Sequence, residues 1–398
     1  MLGVNLALLA AGAPGLLSSA YLGLLACNAA TPDSPPGATS SPFFSLVVPA
    51  HNEESGIART VESLLGVDYP RDQFQVVVVA DNCSDKTAER ARAAGAQVLE
   101  RRDLSRRGKG YALEYAFEKL LADGRTHAVV VVDADTSVSS NLLRAMAARF
   151  EAGEQAVQAH YGVRNGDASW RTRLMVLAFA MFHGVRSNAR ERFGLSVGLR
   201  GNGMGFLAET LRKVPYCAYS LVEDVEYGIA LGMQGVRIAY VGDAEVLGDM
   251  VAEERDSRSQ RRRWEEGRAA LKKQFGPQLL GRALSERSLL LFDLAADLLI
   301  PPLSSVAVNT ALGLAGSAGL WAAGLASPWV PLVFLGGSGL LVLYVGRGAA
   351  LSGLGLQVFA DLLRVPGYVV WKQSLKRKAR SVAKDEWVRT ARAGEAAE

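Results

Sequence analysis

Asp133 and Asp135 stand one residue apart at the end of a valine run, "VVVVDAD" over 129–135. Valines favour a buried strand, and ionised carboxylates resist burial without a partner. In an extended chain, residues i and i+2 point the same way. Past the last ladder bond, two carboxylates so spaced can close on one hard cation. Mg²⁺ and Mn²⁺ take oxygen ligands, commonly one or two carboxylates together with substrate phosphates. The same pair also suits a turn whose aspartates cap a helix running from Ser139.

Other polar residues gather at comparable places. Asp81 closes "FQVVVVAD": it is either the start of helix-cap chemistry with Asn82 and Ser84, or a carboxylate that accepts hydrogen bonds from a base or ribose. In "VVPAHNEES", Pro49 and Ala50 end an apolar run and Asn52, Glu53 and Glu54 crowd its tip, more acid than a helix N-terminus alone requires. Lys109 lies between Gly108 and Gly110 ahead of a helical pattern, placed for a phosphate or for a solvated turn. The spacing of an NTPase phosphate loop is absent. Asn202 sits among Gly201, Gly203 and Gly205, where a backbone can approach a ligand closely. Asp224, after Glu223 at a helix start, is either a general base or a carboxylate favoured by the helix end. Gln260, Arg263 and Trp264 form Q-x-x-R-W, an aromatic face for a sugar and a charge for a diphosphate, or else part of a basic helix on anionic lipid.

These residues need elements to hold them. Short β-branched runs, "FFSLVVPA", "FQVVVVAD" and "HAVVVVDAD", alternate with helical patterns over 55–65, 84–94 and 111–121. That alternation predicts an α/β fold with a mostly parallel sheet covered on both faces. Ligands of such sheets bind beyond the carboxyl ends of the strands, where the acidic tips fall.

The rest of the 398-residue chain has a different texture, and its mean hydropathy is positive for so long a sequence. Residues 4–30 carry no charge and are long enough to cross a bilayer; the run has no preceding basic residue and is too long for a signal-peptide core, which favours a retained anchor. A Pro/Ser/Gly-rich linker follows over 31–42. Residues 288–346 are apolar apart from Asp293, Asp297 and the Pro-interrupted stretch, with room for two spans near 289–312 and 328–346. Pro301-Pro302 must break or kink the first, and 288–300 could instead lie at the interface with the span beginning near 303. Residues 354–398 read as an amphipathic interfacial helix and a basic tail, which the positive-inside rule places in the cytoplasm. Three spans then put the central domain, 43–275, on the cytoplasmic side of a multi-pass cell-membrane protein. Three scattered cysteines form neither a metal pattern nor a disulfide framework, consistent with a reducing compartment. No nucleic-acid partner is expected.

Taken in order, "VVPAHNEE", "VVADNCSDKTAE", "VVDADT", "VEDVEYG" and "QRRRW" resemble family 2 glycosyltransferases, in particular the membrane-bound branch with the cellulose, hyaluronan and poly-N-acetylglucosamine synthases. The resemblance covers roughly residues 43–275. It implies a GT-A fold, a nucleotide-sugar donor and Mg²⁺ or Mn²⁺. By the same resemblance, Asp81 with Glu53 and the Pro49–Asn52 backbone would hold the nucleoside. Asp135 would hold the metal and Asp133 the metal, nucleotide or sugar. Asp224 would be the base, with Val222 in place of the usual Thr. Gln260, Arg263 and Trp264 would hold the acceptor end and the diphosphate, and Asn202 a donor or acceptor wall. The implied activity is inverting transfer to a saccharide or lipid-linked acceptor in polysaccharide or glycolipid synthesis, with membrane lipids and synthase-complex subunits as partners. About three spans are few for a polymer channel. A polyprenyl-phosphate sugar synthase usually lacks Q-x-x-R-W, nucleotidyl transfer would not need it, and a non-catalytic scaffold subunit should have lost the carboxylates that are all present here.

Overall fold

Eight strands form one sheet in the computed structural model, which describes residues 1–250 and 264–364 and the backbone of 254–263. They are β1 (Phe44–Ala50), β2 (Phe74–Asp81), β3 (Gln97–Arg101), β4 (Ala128–Val131), β5 (Thr136–Val138), β6 (Ala156–Val163), β7 (Met204–Leu207) and β8 (Ile238–Gly248). The order across the sheet is β3-β2-β1-β4-β7-β6-β8-β5. The β3-β2-β1-β4 half is parallel, as the valine runs predict. Alternate residues of these strands enter opposite cores. Leu46, Val48, Val76, Val78 and Val130 pack with Ile57, Val61 and Leu142 on one face, while Val47, Val77, Val129 and Val131 pack with Leu113, Ala116 and Phe117 on the other. Both faces are buried, which is why the strands are nearly continuous in valine.

The second half departs from that pattern. β7 runs antiparallel to both β4 and β6, and β5 antiparallel to β8, while β6 and β8 are parallel. β7 has only four residues, one of them glycine, so no periodic signal marks it.

The expected helices form over Ile57–Leu65, Thr87–Ala93 and Lys109–Ala122. The first two start two or three residues late because their leading polar residues bond elsewhere: Asp85 Oδ1, for instance, accepts from the Thr87 amide at 3.0 Å.

The chain divides into two compact units. The first, around the sheet, comprises 32–176 and 193–298. The stretch 289–312, read either as one span or as an interfacial segment followed by a span from about 303, is divided into two helices. Pro301 and Pro302 separate helix Leu289–Leu299 from helix Leu303–Ala322, since a residue before proline is pushed out of helical geometry. Leu289–Leu299 belongs to the sheet unit, where Leu291, Leu294 and Leu298 pack on Leu271 and Leu279 of helix Glu254–Ser285. Asp293 and Asp297 share its buried face, and Arg268 pairs with Asp297 at 3.2 Å.

The second unit contains residues 1–31, 177–192 and 299–364. Its helices Leu2–Cys27, Leu303–Ala322 and Trp329–Leu351 are long and apolar enough to cross a membrane. Twenty residues of helix rise about 30 Å, the thickness of a hydrocarbon core. They pack closely through small residues: a Cβ on Gly12 would fall 2.3 Å from the Phe334 ring. Polar side chains tie them as well, with Asn5 Nδ2 donating to Ser327 Oγ at 2.8 Å and the Gly15 amide donating to Asn309 Oδ1 at 3.2 Å. The basic tail from 365 onward lies outside the described residues.

Candidate active site

The carboxyl ends of β1 and β2 are laced together. Pro49 and Ala50 are the last residues of β1. Asn52 takes a φ of 55°, which asparagine tolerates better than most residues, and its Oδ1 accepts from the Ser84 amide at 2.8 Å. The Glu53 amide donates to Thr87 Oγ1 at 2.7 Å. Asp81, ending β2, is fully buried. Its Oδ1 accepts from Arg101 Nη1 at 2.7 Å and from Asn82 Nδ2 at 3.2 Å. Its Oδ2 is buried with no hydrogen-bond partner among the described residues. Burial pushes the Asp81 carboxyl up from its ordinary pKa, and Arg101 opposes the rise. A buried acceptor left open at a strand tip is suited to an N–H or O–H of a ligand.

Asp133 and Asp135 lie on a tight turn between β4 and β5. The Thr136 amide donates to the Asp133 carbonyl at 3.2 Å, closing it. The aspartates are not helix caps: β5 intervenes, and the next helix starts at Leu142 after Asn141. The turn is pinned around its backbone. Thr60 Oγ1 donates to Ala134 O at 2.8 Å, Arg164 Nη2 donates to Asp135 O at 3.2 Å, and the Asp133 amide donates to Asn202 Oδ1 at 3.1 Å. Asn202 also donates from Nδ2 to Thr136 Oγ1 at 2.8 Å. It is fully buried, so it supports the acidic turn from behind instead of forming the expected cleft wall.

Lys109 opens helix Lys109–Ala122 and reaches the same turn. Its Nζ lies 2.5 Å from Asp133 Oδ1, 2.6 Å from the Gly201 carbonyl and 3.7 Å from Glu223 Oε1. Burial alone would lower the Lys109 pKa, but Asp133, Glu223 and Asp224 outweigh it and raise it.

Glu223, Asp224 and Glu226 occupy the first turn of helix Glu223–Met233, where the helix dipole favours negative charge. Glu226 caps the loop before it by accepting from the Tyr219 and Ser220 amides at 3.0 and 2.9 Å. Burial raises the pKa of Glu223 to about 7; Lys109 opposes this and Asp224 adds to it. Burial raises Asp224 as well, against the Val225 amide, Lys109 and Arg200. Gly201 leaves space beside them: a Cβ there would sit 3.5 Å from Asp224 Oδ2 and 3.6 Å from Lys109 Nζ. Val222 is buried and packs against Gly267, where a Cβ would meet Val222 Cγ2 at 2.9 Å. That apolar contact accounts for a valine at this position. Trp264, 38% exposed, is three residues before Gly267 on helix Glu254–Ser285 and so shares its face. The side chains of Gln260 and Arg263 lie outside the described residues.

Three supporting residues escaped the sequence: Arg101 behind Asp81, Arg164 behind Asp135, and Thr60 on Ala134. Each has its partner distant in sequence, and no spacing rule reports such a pairing.

The site thus combines an α/β sheet with acidic strand tips, a half-buried carboxylate pair at a helix start and an open buried acceptor. The family model for "Glycosyltransferase like family 2" matches residues 41–267, more than half of the chain. The chain belongs to that family, and its fold is of the GT-A type. It is 31% identical over 170 residues to the beta-monoglucosyldiacylglycerol synthase of Trichormus variabilis, covering 41% of this chain and 35% of that protein. It is 28% identical over 233 residues to the protein of the same name from a Synechocystis species, covering 57% and 48%. These matches thus span less than half of the relatives' own length. Among solved structures, the mannosyltransferase PcManGT from Pyrobaculum calidifontis, in complex with GDP-Man and Mn²⁺, aligns with a TM-score of 0.53 at 19% identity, covering 87% of this chain and 97% of that one. That likeness concerns the fold.

Proposed function

We propose that the chain is a membrane-anchored, metal-dependent, inverting glycosyltransferase that moves a sugar from a nucleotide-sugar donor, a UDP-sugar by the family pattern, to a lipid or lipid-linked acceptor. One observation supports the reading: Lys109 bonds Asp133 on its pinned turn and pairs at 3.7 Å with Glu223, the neighbour of Asp224, which would bring a donor site and a base together. Asp81, with its open buried oxygen, is the acceptor for a nucleobase or ribose donor, and the Pro49–Glu53 segment lies beside it.

The donor set fits Mg²⁺ or Mn²⁺. Asp133 and Asp135 offer hard carboxylate oxygens, and among the described residues no three His, Cys, Asp or Glu side chains form a self-sufficient ligand group. The remaining positions would fall to diphosphate oxygens and water, as is usual for these ions. When bound, the ion supplies positive charge against the diphosphate as it leaves. Asp224 accepts the proton of the acceptor hydroxyl while the acceptor oxygen bonds to the anomeric carbon and the bond from that carbon to the diphosphate oxygen breaks. A single displacement of this kind inverts the anomeric centre, giving a β linkage from an α donor. Trp264 offers a flat face to a sugar ring, and Gln260 and Arg263 are assigned to the acceptor end and the diphosphate by the family pattern.

A lipid acceptor is supported by the three membrane-length helices among the described residues and by relatives named for a glucosyldiacylglycerol product. The helix count, with the basic tail, also supports a multi-pass protein whose catalytic unit is cytoplasmic. The test is phase partition after reaction of the purified chain with a radiolabelled donor and membrane lipid. Label entering the organic phase is expected. Label found only in water-soluble saccharide contradicts the lipid acceptor.

A further inference from the structure

Lys109 carries a side chain that reaches both halves of this site. An ammonium has three N–H groups. Two are taken up, by Asp133 Oδ1 at 2.5 Å and by the Gly201 carbonyl at 2.6 Å. Glu223 Oε1, at 3.7 Å, is the ion-pair partner on the third side. The side chain is 17% exposed. The three partners belong to three separate elements: the β4–β5 turn, the glycine loop before β7 and the start of helix Glu223–Met233. Asp224, next to Glu223, adds its field to the same ammonium.

A lysine that binds a phosphate does so as a point charge with donors facing the ligand. Here the charge is outnumbered by carboxylates, and two of the three donors are taken by protein atoms. We propose that Lys109 is a positioning residue: it ties the aspartate turn of the donor site to the helix start that carries the base, and it is not a ligand of the diphosphate. The proposal rests on the glycosyl-transfer reading and departs from the phosphate role that its place after Gly108 invites. Without the ammonium, Asp133 and Glu223 lose the cation they share, and the tie between the turn and the helix start is cut. Reacting groups held near attack distance lose rate steeply when displaced.

The test uses the full chain in detergent and the Lys109→Met variant, with two separate measurements. One is affinity for Mn²⁺–UDP and Mn²⁺–GDP by calorimetry; the other is kcat with a turned-over nucleotide sugar. A positioning role predicts that kcat falls about 10²-fold, while nucleoside diphosphate affinity changes by less than about threefold, the split expected of a group that does not bind the ground state. Affinity weakened by about tenfold or more, with kcat unchanged or falling in step, makes Lys109 a diphosphate ligand and overturns the proposal. If Lys109→Met lacks the native melting transition, Glu223→Gln, which cuts the bridge at its other end, decides: the same split supports the proposal and an unchanged kcat overturns it. A wild-type chain that turns over no nucleotide sugar fails the glycosyl-transfer reading, an outcome distinct from an active wild type matched by an equally active Lys109→Met protein, which fails this proposal alone.

Discussion

Glu223 and Asp224 are adjacent carboxylates on one helical turn, both raised by burial, and they share the field of Lys109. Groups so close titrate as a pair. A base works only when deprotonated, and a raised pKa keeps it protonated to higher pH. The kcat/KM of the enzyme should therefore rise with pH along an acid limb above the ordinary carboxylate range. Glu223→Gln removes a neighbouring negative charge, which lowers the Asp224 pKa, so the limb should move to lower pH. A limb that stays in place or moves upward in that variant contradicts the pairing. The carboxylates at the strand tips were legible in sequence, because acidic residues recur at the ends of successive apolar runs, more than helix capping alone requires. What each one rests on was not legible. Asp81 leans on Arg101, twenty residues away, and the turn amide of Asp133 on Asn202, still further along the chain. Such pairings are tertiary, and for Asn202 the glycine-rich surroundings pointed to a ligand wall where the fold uses a buried brace.

The elements that aim these residues depend on close backbone approaches. Gly110, in the first turn of helix Lys109–Ala122, is the clearest: a Cβ there would lie 2.0 Å from the Ala218 carbonyl oxygen, which is backbone and cannot rotate away. Alanine in place of a helix glycine ordinarily stabilises by about 0.5–1 kcal/mol. At this position Gly110→Ala should instead destabilise by about 1–3 kcal/mol, the scale of forced overpacking. It should also lower kcat, because the clash displaces the turn that carries Lys109. Denaturant unfolding with matched kinetics checks both, and a stabilised, fully active variant contradicts the packing. At this scale the parallel half of the sheet was legible from its valine runs, which need burial on both faces. The antiparallel β7 was not, being short and glycine-containing. Pro301-Pro302 marked the break between helices in advance, yet only packing on Leu271 and Leu279 assigns Leu289–Leu299 to the sheet unit.

The topology proposed for the chain puts the N-terminus outside and the catalytic unit inside. Cys27 ends the first helix and Cys217 lies in the sheet unit; both are exposed. Each should react with a membrane-impermeant maleimide in inside-out vesicles and be protected in sealed cells. Labelling of either in intact cells contradicts the topology. Glycosyl transfer itself is tested most directly by nucleoside diphosphate release. Detergent-purified wild-type chain and Asp224→Asn would be compared across a panel of nucleotide sugars with Mn²⁺ or Mg²⁺. Release from one donor by the wild type, reduced about 10²–10⁴-fold in a variant that still binds the nucleoside diphosphate, is the expected result. Equal release by the two proteins would contradict Asp224 as the base, and no release from any donor, with no nucleoside diphosphate bound, would contradict glycosyl transfer by this chain.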